Sequence, residues 1–208
     1  MRFAFLIFDK LTALDAIGPY EVLSRLPGAE LSFVAAERGP QRTDTGALAL
    51  TADLALAELP APEVVLVPGG EGTRPLLADD AVLDWLRAAH ETSTWTTSVC
   101  TGSLVLGAAG ALEGRRATSH WAYRERLHEF GAEPVAERVV VDGKVVTAAG
   151  VSAGIDMALA LAAEISGPEV AQAIQLAIEY DPAPPFDTGS PERAPDALVE
   201  LVRGREGG

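Results

Sequence analysis

The sequence predicts a doubly wound α/β fold, in which helices flank a mainly parallel sheet, and three observations support this prediction. Short apolar runs alternate along the chain with stretches whose apolar residues recur at helical spacing. The runs are apolar throughout rather than alternately polar, which is typical of strands buried on both faces. The 208 residues contain no internal repeat and suffice for one substantial core. We therefore expect one sheet with helices on both sides.

The predicted strands are bounded by turn-forming residues. Asp9 ends the first apolar run, and Pro68 with the glycines after it ends a later one. Asp142 and Gly143 lie between two short β-branched runs, which is a strong hairpin signal. The strands are predicted at residues 2–8, 31–36, 47–51, 64–67, 94–99, 139–141 and 144–147.

The predicted helices lie between these strands and after them. Apolar residues of the segment 81–92 fall on one helical face, and Gly167 with Pro168 separates the last two long helices. The helices are predicted at residues 14–26, 81–92, from Cys100 onward, 153–165 and 169–179. This order of elements predicts a flavodoxin-like sheet with a strand–Cys–helix turn at Cys100.

The C-terminal segment differs in composition from the rest of the chain. Residues 181–195 are rich in proline and cannot join a helix or the interior of a sheet. A short amphipathic helix is predicted after them, at residues 196–203. We expect residues 1–180 to form the α/β domain and residues 181–208 to form an arm of the same domain. Phe186 and the apolar helix face favour an arm that lies over the body or a neighbouring subunit rather than a free tail.

Charge and cysteine content disfavour several classes of function. The formal net charge of −14 disfavours a nucleic-acid partner. The single cysteine, Cys100, excludes an intramolecular disulfide and disfavours a cysteine-based zinc site. The first apolar run is too short for a signal peptide, and no stretch has the length of a membrane span. We expect a cytoplasmic protein that acts on a small molecule.

Cys100 lies where a predicted strand gives way to a predicted helix. The N–H groups and the positive end of the helix dipole at such a junction favour a thiolate, which makes Cys100 a candidate nucleophile. A lone cysteine also commonly packs in a core as a small apolar residue. The junction alone leaves both interpretations open.

Two further segments place polar groups at strand ends, where ligands bind in a doubly wound sheet. Asp15 follows the first strand, and the glycine-rich loop at residues 68–72 follows another, with backbone N–H groups that can face an anion. Thr101 follows Cys100 at a third strand end. Each has a structural alternative, because Asp15 could cap a helix, the loop could be a tight turn, and Thr101 could be an ordinary first-turn residue. Their shared position favours one site.

The three histidines do not have the spacing of a metal motif, and we expect no metal site. His90 and His128 are predicted to face solvent. His120, in the segment Ala117-Thr-Ser-His-Trp, is the best histidine candidate for a binding cleft, and we predict that it contacts substrate.

These segments together resemble the ThiJ/PfpI superfamily, whose fold is shared with class I glutamine amidotransferase domains. The resemblance covers essentially the whole chain and is closer to the isocyanide hydratase branch. The Cys-Thr-Gly-Ser and His-Trp segments recur in several branches, including regulators with a DNA-binding module, whereas the proline-rich arm favours the hydratase branch. The matching segments are Leu14-Asp-Ala-Ile-Gly-Pro-Tyr-Glu-Val-Leu, Val67-Pro-Gly-Gly, Ser98-Val-Cys-Thr-Gly-Ser-Leu-Val-Leu-Gly, Gly114-Arg-Arg-Ala-Thr-Ser-His-Trp and Glu179-Tyr-Asp-Pro-Ala-Pro-Pro-Phe.

The resemblance implies a role for each candidate residue. Cys100 would be the nucleophile and Asp15 the acid and base, while Thr101 would assist through its hydroxyl or its backbone. Gly70 and Glu71 would line the pocket through their backbone. Other branches place a histidine directly after the cysteine, so with threonine there a Cys–His hydrolase mechanism lacks its expected base.

The resemblance also implies an activity and an assembly. The expected reaction adds water to an isocyanide and gives an N-substituted formamide through a cysteine thioimidate. The enzyme would be a hydro-lyase that needs no cofactor, and it would form a homodimer.

The charge of the thiol–carboxyl pair limits this chemistry. A free thiol has a pKa of about 8.5, and a helix dipole that contributes about 0.3–1 kcal/mol lowers it by less than one unit. An ionised Asp15 would oppose thiolate formation, so we expect Asp15 to hold a proton and to donate a hydrogen bond to sulfur. This arrangement predicts a raised pKa for Asp15 and a lowered pKa for Cys100.

Two alternative functions would use the same thiol. One is a glyoxalase- or deglycase-like activity on α-oxoaldehydes. The other is a non-catalytic redox-sensing or regulatory domain in which Cys100 is oxidised. A transcription regulator is disfavoured, because the chain ends near the predicted arm helix without a helix-turn-helix.

Overall fold

The computed structural model describes residues 1–206, and its strands fall mainly where the apolar runs lie in the sequence. The strands are β1 Arg2–Leu6, β2 Glu30–Ala35, β3 Gly39–Arg42, β4 Ala49–Ala52, β5 Leu54–Ala55, β6 Val64–Val67, β7 Trp95–Val99, β8 Arg116–Ala117, β9 Glu133–Pro134, β10 Val139–Asp142 and β11 Val145–Ala148. The helices are α1 Ala13–Leu23, α2 Thr73–Leu76, α3 Asp80–Thr92, α4 Gly102–Ala108, α5 Ala153–Ser166, α6 Pro168–Ala177 and α7 Asp196–Glu206. Two 3₁₀ helices cover Leu56–Glu58 and Arg124–Phe130.

The central sheet has seven strands in the order β10-β11-β7-β6-β1-β2-β5. Every neighbouring pair is parallel except β10 and β11, which form the antiparallel hairpin predicted around Asp142 and Gly143. Helices lie on both faces of this sheet, so the predicted doubly wound α/β fold is confirmed.

Two apolar layers hold the helices onto the sheet, and they follow from the period of two in a strand. In β1, Phe3 and Phe5 belong to the layer under α1, α5 and α6, whereas Ala4 and Leu6 belong to the layer under α3 and α4. All four residues are at most 1% exposed. A strand buried on both faces must be apolar at every position, which explains the uninterrupted runs in the sequence.

The element bounds differ from the predicted ones mainly at helix ends and in short segments. The strand at Val64–Val67 has the predicted bounds, whereas α1 ends at Leu23 rather than at residue 26. The strand predicted at residues 47–51 corresponds to β4, which pairs with β3 in a separate two-stranded sheet. The short elements β3, β5, β8, β9 and α2 were not predicted, because two to four residues carry too little periodicity.

The arm contacts the body through its terminal helix. Residues 181–195 form no helix or strand, and Phe186 is 76% exposed rather than packed on the body. Helix α7 begins at Asp196 as predicted and continues beyond residue 203, and the Arg203 guanidinium lies 5.6 Å from the centre of the Trp121 ring. The last two residues of the predicted arm, 207–208, lie outside the described residues, and the division of the chain at residue 180 stays a prediction. None of the described helices is long and apolar enough to span a membrane.

Candidate active site

The sheet brings together the three segments that the sequence places at strand ends. Asp15 lies in the first turn of α1, just after β1, and the loop at residues 68–72 leaves β6. Cys100 and Thr101 lie between β7 and α4. Because β1, β6 and β7 are adjacent parallel strands, their carboxyl ends meet at one edge of the sheet, and the three segments lie together there.

Cys100 has a left-handed backbone that four hydrogen bonds hold in place. Its φ of 58° is unfavourable for a residue with a Cβ atom, so the surrounding structure must impose it. The Cys100 N–H donates to the carbonyl oxygens of Ala148 and Ala149, at 3.1 and 2.9 Å. The Ser103 and Ser119 hydroxyls donate to its carbonyl oxygen, at 3.1 and 3.0 Å. The sharp turn fixes the thiol at the wall of a cavity of about 180 Å³.

Two glycines allow the strand-end loops to approach this turn. A Cβ atom on Gly69 would lie 2.6 Å from the backbone nitrogen of Thr101, and one on Gly102 would lie 2.1 Å from the carbonyl oxygen of Val67. Both distances are too short for nonbonded atoms, so glycine is required at both positions. The Gly69 position also lets its N–H reach Asp15.

Asp15 is fully buried and does not cap its helix. Thr12 occupies the N-cap position of α1, and the Gly69 N–H donates to Oδ2 of Asp15 at 2.8 Å. Among the described residues, Oδ1 of Asp15 has no hydrogen-bond partner. The Cys100 thiol interacts with the carboxyl, although not with the geometry of a regular hydrogen bond. A buried oxygen without a partner beside a thiol is suited to accept a proton.

The pair has a distinct protonation pattern. Burial raises the pKa of Asp15 to about 7, and the negative charge of Asp44 adds to this, while the Gly69 N–H and the Cys100 thiol partly offset it. Burial also raises the pKa of Cys100, and the charge of Asp15 raises it further. The backbone N–H groups of Thr101 and Val151 and the Thr101 hydroxyl oppose that rise without reversing it. The pair therefore carries one negative charge above neutral pH, and that charge lies on Asp15.

The predicted lowering of the Cys100 pKa is wrong, whereas the raised pKa of Asp15 agrees with the structure. Cys100 is only 6% exposed, so an ionised sulfur loses most of its hydration. The following helix, α4, has only seven residues. Its dipole, with the nearby N–H groups, does not compensate for burial and for a neighbouring carboxylate.

Thr73 is a further residue of the site, and it is not among the residues predicted from the sequence. The Gly70 N–H donates to the Thr101 hydroxyl oxygen at 3.0 Å, and the Thr73 hydroxyl lies 2.7 Å from the Gly70 carbonyl oxygen and 3.2 Å from the Thr101 hydroxyl. The Thr101 hydroxyl itself lies 3.4 Å from the same carbonyl. Thr73 is thus the closer donor to that carbonyl, and the Thr101 hydroxyl is shared between the more distant carbonyl and the Cys100 sulfur. The feature of the sequence that could have indicated Thr73 is a hydroxyl residue shortly after the glycine-rich loop.

The other predicted pocket residues lie around the thiol cavity. Gly70, Glu71 and His120 line it, in agreement with their predicted location, and their contacts with substrate stay predictions. Asp15 is fully buried and does not line the cavity, whereas its neighbour Cys100 does.

The two remaining histidines lie elsewhere. His128 faces solvent as predicted, whereas the prediction for His90 is wrong. His90 is half-buried, because its Nδ1 lies 2.8 Å from the Thr96 hydroxyl at the start of β7. Among residues 1–206, no group of three or more His, Cys, Asp or Glu side chains is placed to hold a metal ion.

Comparison with known proteins identifies the family. The model of the DJ-1/PfpI family matches residues 1–164. The chain belongs to the DJ-1/PfpI family. It is 47% identical to an isonitrile hydratase of Pseudomonas putida over 205 residues, which cover 99% of this chain and 90% of that protein.

Two further proteins resemble this chain over different shares of its length. A crystal structure of a ThiJ/PfpI family protein from Pseudomonas syringae superimposes with a TM-score of 0.94 at 39% identity, over 98% of this chain and 86% of that chain. A glutathione-independent glyoxalase of Caenorhabditis elegans is 24% identical over 158 residues, which cover 75% of this chain and 83% of that protein. The resemblance to the ThiJ/PfpI superfamily, which the sequence segments indicate, is therefore confirmed.

The raised pKa of Asp15 predicts a pH dependence of stability. Between the ordinary pKa of 3.8 and the folded value of about 7, the folded protein holds a proton that the unfolded chain releases. The free energy of unfolding therefore falls as pH rises through this range. We expect Asp15→Asn to gain stability relative to wild type between pH 4 and pH 8, by on the order of 4 kcal/mol, since each pKa unit corresponds to about 1.4 kcal/mol. Urea unfolding of both proteins at both pH values measures this gain, and a difference independent of pH contradicts it.

The hydroxyl arrangement predicts a role for Thr73 in thiol reactivity. In Thr73→Val the Gly70 carbonyl loses its shorter hydrogen bond, so the Thr101 hydroxyl turns further toward it and donates less to sulfur. We expect alkylation of Cys100 by iodoacetamide at pH 8 to slow about fivefold, because one hydrogen bond contributes about 1 kcal/mol. Thr73→Ser keeps the hydroxyl and is the matched control. Equal rates in wild type and Thr73→Val, or an equally slow Thr73→Ser, contradict the role.

Proposed function

We propose that this chain is an isocyanide hydratase, a hydro-lyase that converts an isocyanide and water into an N-substituted formamide. The observation that carries the proposal is a buried thiol–carboxyl pair, Cys100 and Asp15, whose thiol lies at the wall of a small cavity, with threonine in the position after the cysteine. The 47% identity to an isonitrile hydratase over nearly the whole chain supports the same reaction, since isonitrile and isocyanide are names for one functional group.

The first step adds the thiol to the terminal isocyanide carbon. Above neutral pH the charge lies on Asp15, so its carboxylate can take the Cys100 proton while sulfur attacks that carbon. A carbon–sulfur bond forms while one carbon–nitrogen π bond breaks. Its electron pair goes to nitrogen, and the carbon keeps the lone pair that it has in the isocyanide. Asp15 then returns the proton to that carbon and gives a thioimidate, R–N=CH–S. Oδ1 of Asp15 is suited to both transfers because Gly69 engages Oδ2.

The second step hydrates the thioimidate. The Asp15 carboxylate takes a proton from a water molecule as its oxygen attacks the thioimidate carbon, and passes that proton to the substrate nitrogen. The resulting R–NH–CH(OH)–S intermediate collapses with cleavage of the carbon–sulfur bond. The hydroxyl proton returns through Asp15 to the leaving sulfur, which restores the thiol and the carboxylate. One carboxyl group serves as base and acid in turn, so the sequence of steps needs no imidazole.

The surrounding donors stabilise sulfur during these steps. The N–H groups of Thr101 and Val151 and the Thr101 hydroxyl favour negative charge on Cys100, which develops during attack and again during collapse. They are fixed before reaction, because the hydrogen bonds of the Cys100 turn and of Thr73 hold them. Gly70, Glu71 and His120 are assigned to substrate contact because they line the cavity.

A glyoxalase-like reaction on α-oxoaldehydes is the second candidate. The observation that favours it is the likeness to the glyoxalase of Caenorhabditis elegans, at 24% identity. Consumption of methylglyoxal, measured beside isocyanide hydration on the same sample, separates the two activities.

The proposal predicts which groups turnover requires. We expect Cys100→Ala to hydrate no alkyl or aryl isocyanide, Asp15→Ala to be severely impaired and Thr101→Val to lose less activity. In wild type, kcat/KM should rise with pH to a plateau above about 7, because the free enzyme needs the Asp15 carboxylate. Formamide production followed by NMR measures each rate. Turnover by Cys100→Ala, or a rate that falls as pH rises through 7, contradicts the mechanism.

We also propose that the protein is cytoplasmic and that it forms a homodimer. The mechanism needs a reduced thiol, which a reducing compartment maintains. Exposed apolar side chains of α1 and α6 support a second copy as partner, with Leu14 at 41% and Leu176 at 82% exposure. Sedimentation equilibrium should give twice the mass of one chain at micromolar concentration, and the mass of a single chain contradicts the dimer.

A further inference from the structure

A second cavity of about 520 Å³ adjoins the thiol cavity. Its walls come from loops of the α/β body, at residues 118–121, 136–138 and 149–152, and from residues 189–193 of the arm. His120 and Val151 line both cavities, so the two spaces are neighbours at these residues. We call this second space the arm cavity.

The boundary between the two spaces lies close to the reacting sulfur. The Val151 N–H donates toward the Cys100 sulfur. The His120 ring packs against Gly150, where an added Cβ atom would lie 2.6 Å from ring carbon Cδ2. A substituent on a substrate bonded to Cys100 therefore has His120 and Val151 beside it and the arm cavity beyond them.

The volumes of the two cavities indicate which part of the substrate each can hold. Pockets that enclose a drug-sized ligand commonly measure about 300–1,000 Å³. The thiol cavity, at about 180 Å³, is below this range, and the arm cavity, at about 520 Å³, is within it. The thiol cavity suits the reacting carbon and nitrogen with a small substituent, and a larger substituent needs the second space.

The lining of the arm cavity favours an uncharged substituent. Trp121, Ala149 and Pro191 contribute apolar surface. Of the three arginines in the wall, Arg124 pairs with Glu125, Arg138 pairs with Asp156 and Arg193 pairs with Asp187. Because these cations already have carboxylate partners, the wall offers little attraction to an anionic group.

The arm lies in a part of the chain that matches the isonitrile hydratase but not the family model, which connects the arm to the isocyanide reaction. The family model ends at residue 164, before the arm, and the likeness to the glyoxalase covers 75% of the chain. The likeness to the isonitrile hydratase covers 99% and therefore includes residues 189–193. The segment that closes the cavity is thus shared with the isonitrile hydratase and lies outside the part that defines the family.

We propose that the arm cavity binds the N-substituent of the isocyanide, and that the arm selects substrates with uncharged aryl or bulky alkyl substituents. This inference rests on the proposed hydratase function. The arm contributes one wall, and the ring of Trp121, held under Arg203 of α7, contributes another.

Filling the arm cavity tests the proposal with two substrates that share one reacting group. Benzyl isocyanide extends into the arm cavity and methyl isocyanide does not. We expect Ser190→Trp, which fills the cavity from the arm, to lower kcat/KM for benzyl isocyanide at least tenfold and for methyl isocyanide less than threefold. Ala136→Trp fills it from the body and should act in the same way. Thr188→Trp is the matched control, because this exposed arm residue does not line the cavity, and it should change both rates less than threefold.

The outcomes separate this inference from the proposed function. Equal losses for both substrates in Ser190→Trp and Ala136→Trp, or no loss for benzyl isocyanide in either variant, overturn the arm cavity as a substituent site while hydratase activity stands. Wild-type protein that hydrates neither substrate overturns the proposed function and this inference with it. Thermal melting of each variant confirms that it is folded, and the two filling variants, on separate segments, serve as replicates of each other.

Discussion

Two acidic groups, the Cys100 thiol and the Asp15 carboxyl, lie buried side by side, and their shared environment tolerates one negative charge. Burial raises the pKa of both, and the Asp15 charge raises that of the thiol further. The charge therefore lies on the carboxylate in the free enzyme, and sulfur becomes nucleophilic only as its proton leaves. In the proposed mechanism, this constraint makes Asp15 act as a base first and as an acid second.

The strands and loops around the pair hold the thiol and the carboxyl in contact at one edge of the sheet. Parallel pairing brings the ends of β1, β6 and β7 together, and glycine at positions 69 and 102 lets their loops touch. The left-handed turn at Cys100 is unfavourable by itself, and carbonyl and serine partners on both sides hold it. The thiol itself lies at the wall of the cavity that His120 and Val151 also line.

The sequence predicts the features that arise from local pattern. The apolar run Val64–Val67 specifies a buried strand with its bounds, and strand-end positions identify Asp15 and Cys100 as neighbours. The sequence pattern does not predict quantities that depend on how deeply a side chain is buried. The direction of the Cys100 pKa follows from its burial, and the half-buried His90 follows from its contact with Thr96. Thr73 matters only because the folded loop brings it to the Gly70 carbonyl.

In the singly charged pair, the proton lies on sulfur and the negative charge lies on Asp15. Infrared difference spectroscopy tests this assignment directly, because the S–H stretch of a thiol and the C=O stretch of a carboxylic acid are separate bands. Spectra of wild type from pH 5 to pH 9, with Cys100→Ser and Asp15→Asn to assign the bands, follow each group. We predict that the carboxylic acid band disappears with a midpoint near pH 7 while the S–H band persists. Loss of the S–H band with retention of the carboxylic acid band would contradict the account.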